Sequence, residues 1–436
     1  MTLHAFPRAA ARPLVLRRTL AAALAALALL AAGASAQIAS GPDWIVCHSL
    51  PSQTTNASLR GEYSVRDVLV RLLDRLQNGD RAALATYTLS GPSMSSGAAG
   101  PILSAVSRAL DRGAAVHFAV DRYVKPWEEF LPGLSLRHLA RRKTNPMALS
   151  QSPRDVMMHH KAAIFDFGGS NQWTFVGSGN FTSGANSRQW NVAVAIRNPD
   201  LHRAFAAEME EFRQGRFGKN KRRDHDRSHF RLQDSWGTCW VRFGPYPPVP
   251  EGSVPAETDV RRILDGAEEE IYFAMHHFNR APIRRALVAA AERGVRVRGV
   301  IPLSDRSNSP LAVSRKTANQ LLNPSTYSGT NRVLLLEALA SADDLRPDAG
   351  EPDLVHGKYL LVDPNGRRPF VVHGAANWTT SGVFSPKGND ESILFIRHRG
   401  IAQAFLAQFL RMTSGATRTP LSADSESGTP ARSSPE

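Results

Sequence analysis

Apolar residues recur at helical spacing from Val65 to Leu76, where Val65, Val68, Leu69, Leu72 and Leu76 share one face, and a mostly apolar run from Ala82 to Leu89 follows as a strand. Pro101 to Leu110 is again helix-periodic. Val116 to Val120, Lys161 to Phe165, Trp173 to Val176 and Val192 to Ile196 read as strands, and Leu201 to Phe212 as a closing helix. The order then returns: helix Val260 to Ala267, strand Glu270 to Met275, helix Arg284 to Glu292 and strand Val295 to Ile301. Strands Tyr359 to Val362, Phe370 to Val372 and Ile393 to Ile396 come next, and helix Ile401 to Met412 ends the series. Elements alternating in this way require a sheet flanked by helices. The doubled order predicts a tandem duplication of one α/β unit, with two mixed sheets.

The polar positions between these runs repeat as well. His159-His160-Lys161 is followed after four residues by Asp166, and His356-Gly357-Lys358 after four residues by Asp363. Gly177-Ser178-Gly179-Asn180 follows the first copy and Gly374-Ala375-Ala376-Asn377 the second. The offset between copies is 197 across this block; after a three-residue slip it is 200, which aligns Asn191 with Glu391 and Ala204-Phe205 with Ala404-Phe405. Upstream, Asp111-Arg112-Gly113 matches Glu292-Arg293-Gly294, a helix end passing through glycine into a strand. Only eight of the 53 basic side chains are lysines, yet both copies keep Lys at the same place.

Length sets the frame for these repeats. The chain of 436 residues has room for two domains with a core each, at 43–212 and 251–412. Residues 1–36 fit neither. Arg8, Arg12, Arg17 and Arg18 precede an apolar run from Leu20 to Ala32 and then Ala34-Ser35-Ala36, the order of a signal peptide. Arg17-Arg18 also allows a twin-arginine route. Secretion or periplasmic export is therefore expected, and cleavage lowers the net charge from +14 to +10. A basic exported protein meets anionic surfaces such as phospholipid headgroups, nucleic acid or wall polymers, and charge alone does not choose among them. Cys47 and Cys239 are expected to pair in an oxidising compartment. Residues 213–250 carry Lys219, Lys221, Arg222 and Arg223 and then Pro245, Pro247, Pro248 and Pro250, and read as an exposed linker. The tail 413–436, rich in Ser, Thr, Pro and Gly, reads as disordered.

Paired His-x-Lys motifs suit attack on a phosphodiester. Imidazole is a competent nucleophile and acid near neutral pH, so one His can attack phosphorus while the other protonates the leaving alkoxide. Two lysines and two Asn amides then neutralise and grip the non-bridging oxygens, which requires no metal or other cofactor. Residues two apart on a strand share a face, which accounts for the His-to-Lys spacing. His160, His276 and His277 lack Cys or acidic partners at metal spacing and read as packing residues.

These motifs resemble the phospholipase D superfamily, whose signature is His-x-Lys-x4-Asp with a downstream Gly-Ser-x-Asn, and the resemblance covers residues 60 to 412 or so. It implies two α/β units whose motifs meet at a pseudo-two-fold axis, and a covalent phosphohistidine. Carried over, the set is His159, Lys161 and Asn180 with His356, Lys358 and Asn377, supported by Ser178, Asp166 and Asp363, the two Asp as fold-supporting residues. In the family an acidic residue downstream of each motif orients a catalytic imidazole. Glu391 fits and Asn191 does not, so Glu391 is expected to hold His356 and make it the nucleophile. Ala375 in place of Ser178 is expected to remove a hydroxyl from the phosphate site. With the export signal, the leading expectation is a monomeric exported phospholipase D-like enzyme that hydrolyses glycerophospholipid at a membrane surface to phosphatidate and alcohol, with alcohols able to replace water. One alternative is a secreted metal-independent nuclease, suggested by the charge and by Gly177-Ser178-Gly179-Asn180-Phe181-Thr182, which resembles the short nuclease-type members. The other is a non-catalytic binder of anionic lipid or nucleic acid.

Overall fold

Each repeat builds the same sheet in the same strand order. The computed structural model describes residues 38–49, 64–89, 99–122, 147–169, 171–187, 189–222, 230–232, 237–246, 254–302, 312–336, 354–382 and 388–413. The expected signal peptide and tail lie outside the described residues. The first half contains β1 (Ile38–Ser40), β2 (Trp44–Ser49), α1 (Val65–Asp74), β3 (Arg81–Thr86), α2 (Ala99–Asp111), β4 (Ala115–Val120), β5 (Met147–Gln151), β6 (Lys161–Asp166), β7 (Gln172–Gly177), α3 (Ser183–Ser187), β8 (Gln189–Arg197) and α4 (Pro199–Arg213). The second contains β9 (Phe230–Arg231), β10 (Thr238–Phe243), α5 (Pro255–Asp265), β11 (Glu270–Met275), α6 (Ala281–Glu292), β12 (Arg296–Val300), α7 (Ala312–Leu322), β13 (Leu334–Leu335), β14 (Leu354–Val355), β15 (Lys358–Val362), β16 (Phe370–Gly374), β17 (Ser392–Arg397) and α8 (Arg399–Thr413).

The first sheet runs β1-β2-β8-β7-β6-β3-β4-β5 and the second β13-β12-β11-β15-β16-β17-β10-β9, so β2 to β5 and β6 to β8 have counterparts in identical order. Both sheets are mixed: β3 is parallel to β4 but antiparallel to β6, as β11 is to β12 and β15. Strands β8 and β15 are buried along nearly their whole length, which explains why they read as continuous apolar runs. Helix α1 starts at a capping box in which Ser64 and Asp67 each satisfy the other's backbone amide. It buries Val65, Val68, Leu69 and Leu72 with α2 on the outer face of the first sheet. Helices α5, α6 and α7 cover the outer face of the second. Between the sheets, α8 touches β1 and β2 on one side and β11, β15 and β16 on the other. A single apolar core, from Trp44 and Phe205 to Tyr359 and Phe409, therefore spans the two halves. Among the described residues no helix is long and apolar enough to cross a membrane.

Two expectations need correction. Residues 213–250 are not simply an exposed linker: Lys221 is buried, and β10 pairs along β17 as β2 pairs along β8, so the second unit begins well before residue 251. Thr238–Phe243 buries only alternate residues, which gave a weaker apolar signal than the inner strands. The cysteines do not pair. Cys47 on β2 and Cys239 on β10 are both free and buried, and burial pushes both thiols up, that of Cys239 to about 12.

The two motif aspartates lie at the ends of β6 and β15 remote from the histidines, and they do unequal work. Asp363 sits at φ 46° and accepts from the amides of Glu268, Glu269 and Glu270 at 2.8, 2.8 and 2.7 Å. Asp166 accepts from Gly168 N and Gln172 Nε2 at 3.1 and 3.2 Å. Asp363→Ala strands several amides and is expected to cost about 1–3 kcal/mol, while Asp166→Ala costs about 1 kcal/mol or less. Thermal melts of the two variants check this; equal losses would contradict it.

Candidate active site

Each motif is carried into the site by a segment that pairs with the other half. Met158 forms a parallel bridge with Asp390, His159 N donates to Asp390 O at 2.8 Å, and Asp390 N donates to Met157 O at 2.9 Å. The repeat-related event is β14 lying parallel to the start of β8, with Val355 opposite Trp190 and His356 N donating to Trp190 O at 3.1 Å. Near the axis, His373 Nε2 lies 3.3 Å from Val176 O, and these two positions are themselves repeat counterparts.

This crossing decides which side chain orients which imidazole. Glu391 Oε1 is in direct contact with His159 Nδ1, and Asn191 Oδ1 is 3.0 Å from His356 Nδ1. The expectation that Glu391 holds His356 is thus overturned: the acid acts across the interface, on the histidine of the opposite repeat. Asn191 is locked in place. Its Nδ2 donates to Ala185 O at 2.8 Å and its Oδ1 accepts from Ser178 Oγ at 2.9 Å, so the oxygen faces His356 and selects the tautomer with hydrogen on Nδ1. The Ser178 hydroxyl is engaged by Asn191 and lies 3.3 Å from Val192 O, so it supports the amide and not a phosphate, and Ala375 removes no phosphate ligand. A Cβ at Gly179 would come within 2.7 Å of the Asn191 amide, which accounts for glycine there.

The lysines are arranged alike. Lys161 Nζ donates to His159 O and Lys358 Nζ to His356 O, both at 2.8 Å, and Lys358 Nζ also lies 3.2 and 3.3 Å from the two ring nitrogens of His356. Among the described residues Asn180 Oδ1 is buried with no hydrogen-bond partner, whereas Asn377 Oδ1 accepts from His277 N at 3.3 Å. The structure therefore gathers His159, Lys161, His356, Lys358 and Glu391 into one cluster, with Asn180 and Asn377 on the loops that follow β7 and β16.

Two further rings belong to the cluster and were not singled out as site residues from sequence. Tyr87 and His276 follow β3 and β11 at corresponding positions, and their amides donate to His160 O and Gly357 O at 3.1 and 3.2 Å. The Tyr87 ring lies 5.0 Å from that of His159, and the His276 ring 4.5 Å from that of His356. His276, expected to be a packing residue, thus lines the site, held by Val355 O at 3.2 Å. Alignment of β3 with β11 was the signal for both. Among the described residues no group of three or more His, Cys, Asp and Glu is placed to hold a metal ion.

Burial dominates the electrostatics. It pushes His159, His356 and His276 well below the ordinary histidine range, and the neighbouring ammonium groups push them further. It also lowers Lys161 to about 7, carries Lys358 well below its usual value, and raises Glu391 to about 8. Two lysines and three imidazoles crowd around the Glu391 carboxyl away from water, so a bound anion relieves their mutual repulsion. Because Lys161 is charged below about pH 7 and neutral above it, anion affinity should fall as pH rises. Sulfate, a dianion throughout, is expected to bind about tenfold more weakly at pH 8 than at pH 6. Calorimetric titration checks this, and an affinity independent of pH would contradict it.

Comparison with known proteins supports the same reading of the fold. The model of the cardiolipin synthase, PLD-like domain family matches residues 72–213 and 260–413. Phospholipases D of Rickettsia felis and Rickettsia conorii are 28% and 27% identical over 147 residues, 34% of this chain and 58% of each of theirs, so the chain spans little more than half the length of these relatives. The crystal structure of phosphatidylserine synthase from Haemophilus influenzae superposes with a TM-score of 0.56 at 11% identity, covering 81% of this chain and 85% of the synthase, which shows a shared fold. With both repeats matched over more than half of its length, the chain belongs to the PLD-like domain family of the phospholipase D superfamily.

Proposed function

We propose that the protein is an exported phospholipase D-type hydrolase that cleaves the distal phosphodiester of a glycerophospholipid at a membrane surface. The observation that carries the chemistry is the unequal support of the two imidazoles, a carboxylate against His159 and an amide against His356. A carboxylate stabilises the positive charge that develops on an imidazole as it attacks, so His159 is the nucleophile through Nε2. An amide does not, which leaves a protonated His356 the stronger acid. In the first step His159 Nε2 bonds to phosphorus, the bond to the leaving alkoxide breaks, and His356 gives that oxygen its proton. In the second, water attacks phosphorus, His356 takes its proton, and the N–P bond breaks to release phosphatidate. An alcohol in place of water gives a new phosphodiester. Lys161, Lys358, Asn180 and Asn377 hold the non-bridging oxygens as charge builds.

Lipid is favoured over nucleic acid by the relatives named phospholipase D and by the fold shared with a phosphatidylserine synthase. Incubation in EDTA with phosphatidylcholine vesicles and, separately, with plasmid tests this. Choline release without nicking is expected; nicking without choline release would select the nuclease reading, and loss of activity restored by added zinc or calcium would sink the metal-free mechanism.

The order of the histidines has its own test. A p-nitrophenyl phosphodiester has a leaving group that needs little protonation, whereas loss of a general acid costs about 10²–10⁴-fold with poor leaving groups. The p-nitrophenol burst is expected to persist in His356→Ala and vanish in His159→Ala. The opposite pattern would make His356 the nucleophile.

A further inference from the structure

On the reverse side of the segments that carry the His159–Glu391 pair lies a buried ionic network. His160 Nε2 is 3.1 Å from Glu208 Oε1, and that oxygen is 2.5 Å from Lys221 Nζ. Lys221 Nζ is also 2.8 Å from Asp390 Oδ1 and 2.7 Å from Gly244 O, and the Asp390 carboxylate accepts from Gly218 N at 3.0 and 2.8 Å. His160, Glu208 and Asp390 have no solvent exposure and Lys221 has 6%. The network sits one residue from the site at both ends: His160 follows His159, and Asp390 precedes Glu391 and makes both backbone hydrogen bonds to the 157–159 segment.

Among the described residues the other half has no equivalent. The repeat counterparts of His160, Glu208 and Asp390 are Gly357, Gln408 and Trp190, all without charge, and that of Glu391 is Asn191. Gln408, at the position corresponding to Glu208, places its Nε2 3.5 Å from Asn191 O. The ionic residues have accumulated on the His159 side alone. The lysine that joins the two carboxylates comes from neither repeat but from the basic segment between them.

We infer that Lys221 is a positioning residue for the His159–Glu391 pair: the connecting segment clamps Glu208 of the first half to Asp390 of the second and so fixes the charge and alignment of the nucleophile. Removing one partner from a buried ion set leaves the others uncompensated, so the clamp matters most when it is broken. The inference rests on His159 being the nucleophile. The groups facing His159 are Glu391, Lys161, Lys358, His276, His160 and the Tyr87 ring. Those facing Lys221 are Glu208, Asp390, Gly244 O and the Phe212 ring at 5.5 Å. Without the Lys221 cation the two carboxylates favour protonated His159; without the Asp390 carboxylate the neutral nucleophile is favoured.

The test is the pH dependence of the p-nitrophenol burst rate in the full-length protein, with folding followed by circular dichroism. Lys221→Met is expected to move the acid limb to higher pH by about one unit, a further tenfold loss of rate below the limb. Asp390→Asn is expected to move it to lower pH, and the double variant to return it toward the wild-type position. Opposite shifts support the clamp, and if Lys221→Met does not fold, the direction of the Asp390→Asn shift alone decides. Variants that melt earlier but keep the wild-type limb would show a merely structural role and overturn the inference, leaving the functional reading intact. A wild-type protein with no burst would overturn the functional reading itself.

Discussion

The site depends on one backbone contact made twice: the segment leading into each His-x-Lys motif pairs in parallel with the other half's strand β8 or β17 where that strand begins. Met158 against Asp390 and Val355 against Trp190 are the two instances. Everything specific to the site follows from their register. A residue that precedes β17 by one position, Glu391, is delivered to His159, and its counterpart Asn191 to His356. Shifting either pairing by one residue would turn these side chains to the opposite face. The shared core around α8 holds the two sheets at the spacing this register requires.

Duplication supplies what the proposed reaction needs in duplicate, and divergence supplies what it needs once. Two lysines and two imidazoles come from symmetry. The carboxylate on one imidazole, the amide on the other, and the rings of Tyr87 and His276 break that symmetry in one consistent sense. A phosphoryl transfer with separate nucleophile and acid requires two different proton affinities at chemically similar groups, and a fused pair of repeats can mutate each partner independently. The cost is a cluster of buried basic groups with little compensating charge, visible in the lowered affinities of both lysines for their protons.

Much of this was legible in the sequence, because buried strands must be apolar and a repeated motif keeps its offset. The inner strands and major helices fall where their periodicity places them, and the constant offset of 197 identified the pairs that meet. What was not legible depends on contacts between halves. Glu391 was matched with the histidine of its own repeat because sequence order carries no information about crossing segments. Lys221 looked solvated because its partners, Glu208 and Asp390, lie far from it in the chain or in the other half. Cys47 and Cys239 sit apart on separate sheets, and their burial in apolar strands accounts for them as small core residues.

The account stands on His159 being the residue that carries the phosphoryl group. Acid-free quenching of the enzyme during turnover, followed by mass spectrometry of its peptides, reads this directly. The account predicts a phosphohistidine on the peptide containing His159, recognisable by the adjoining Lys161; a phosphohistidine on the His356 peptide, with His159 unmodified, would contradict it.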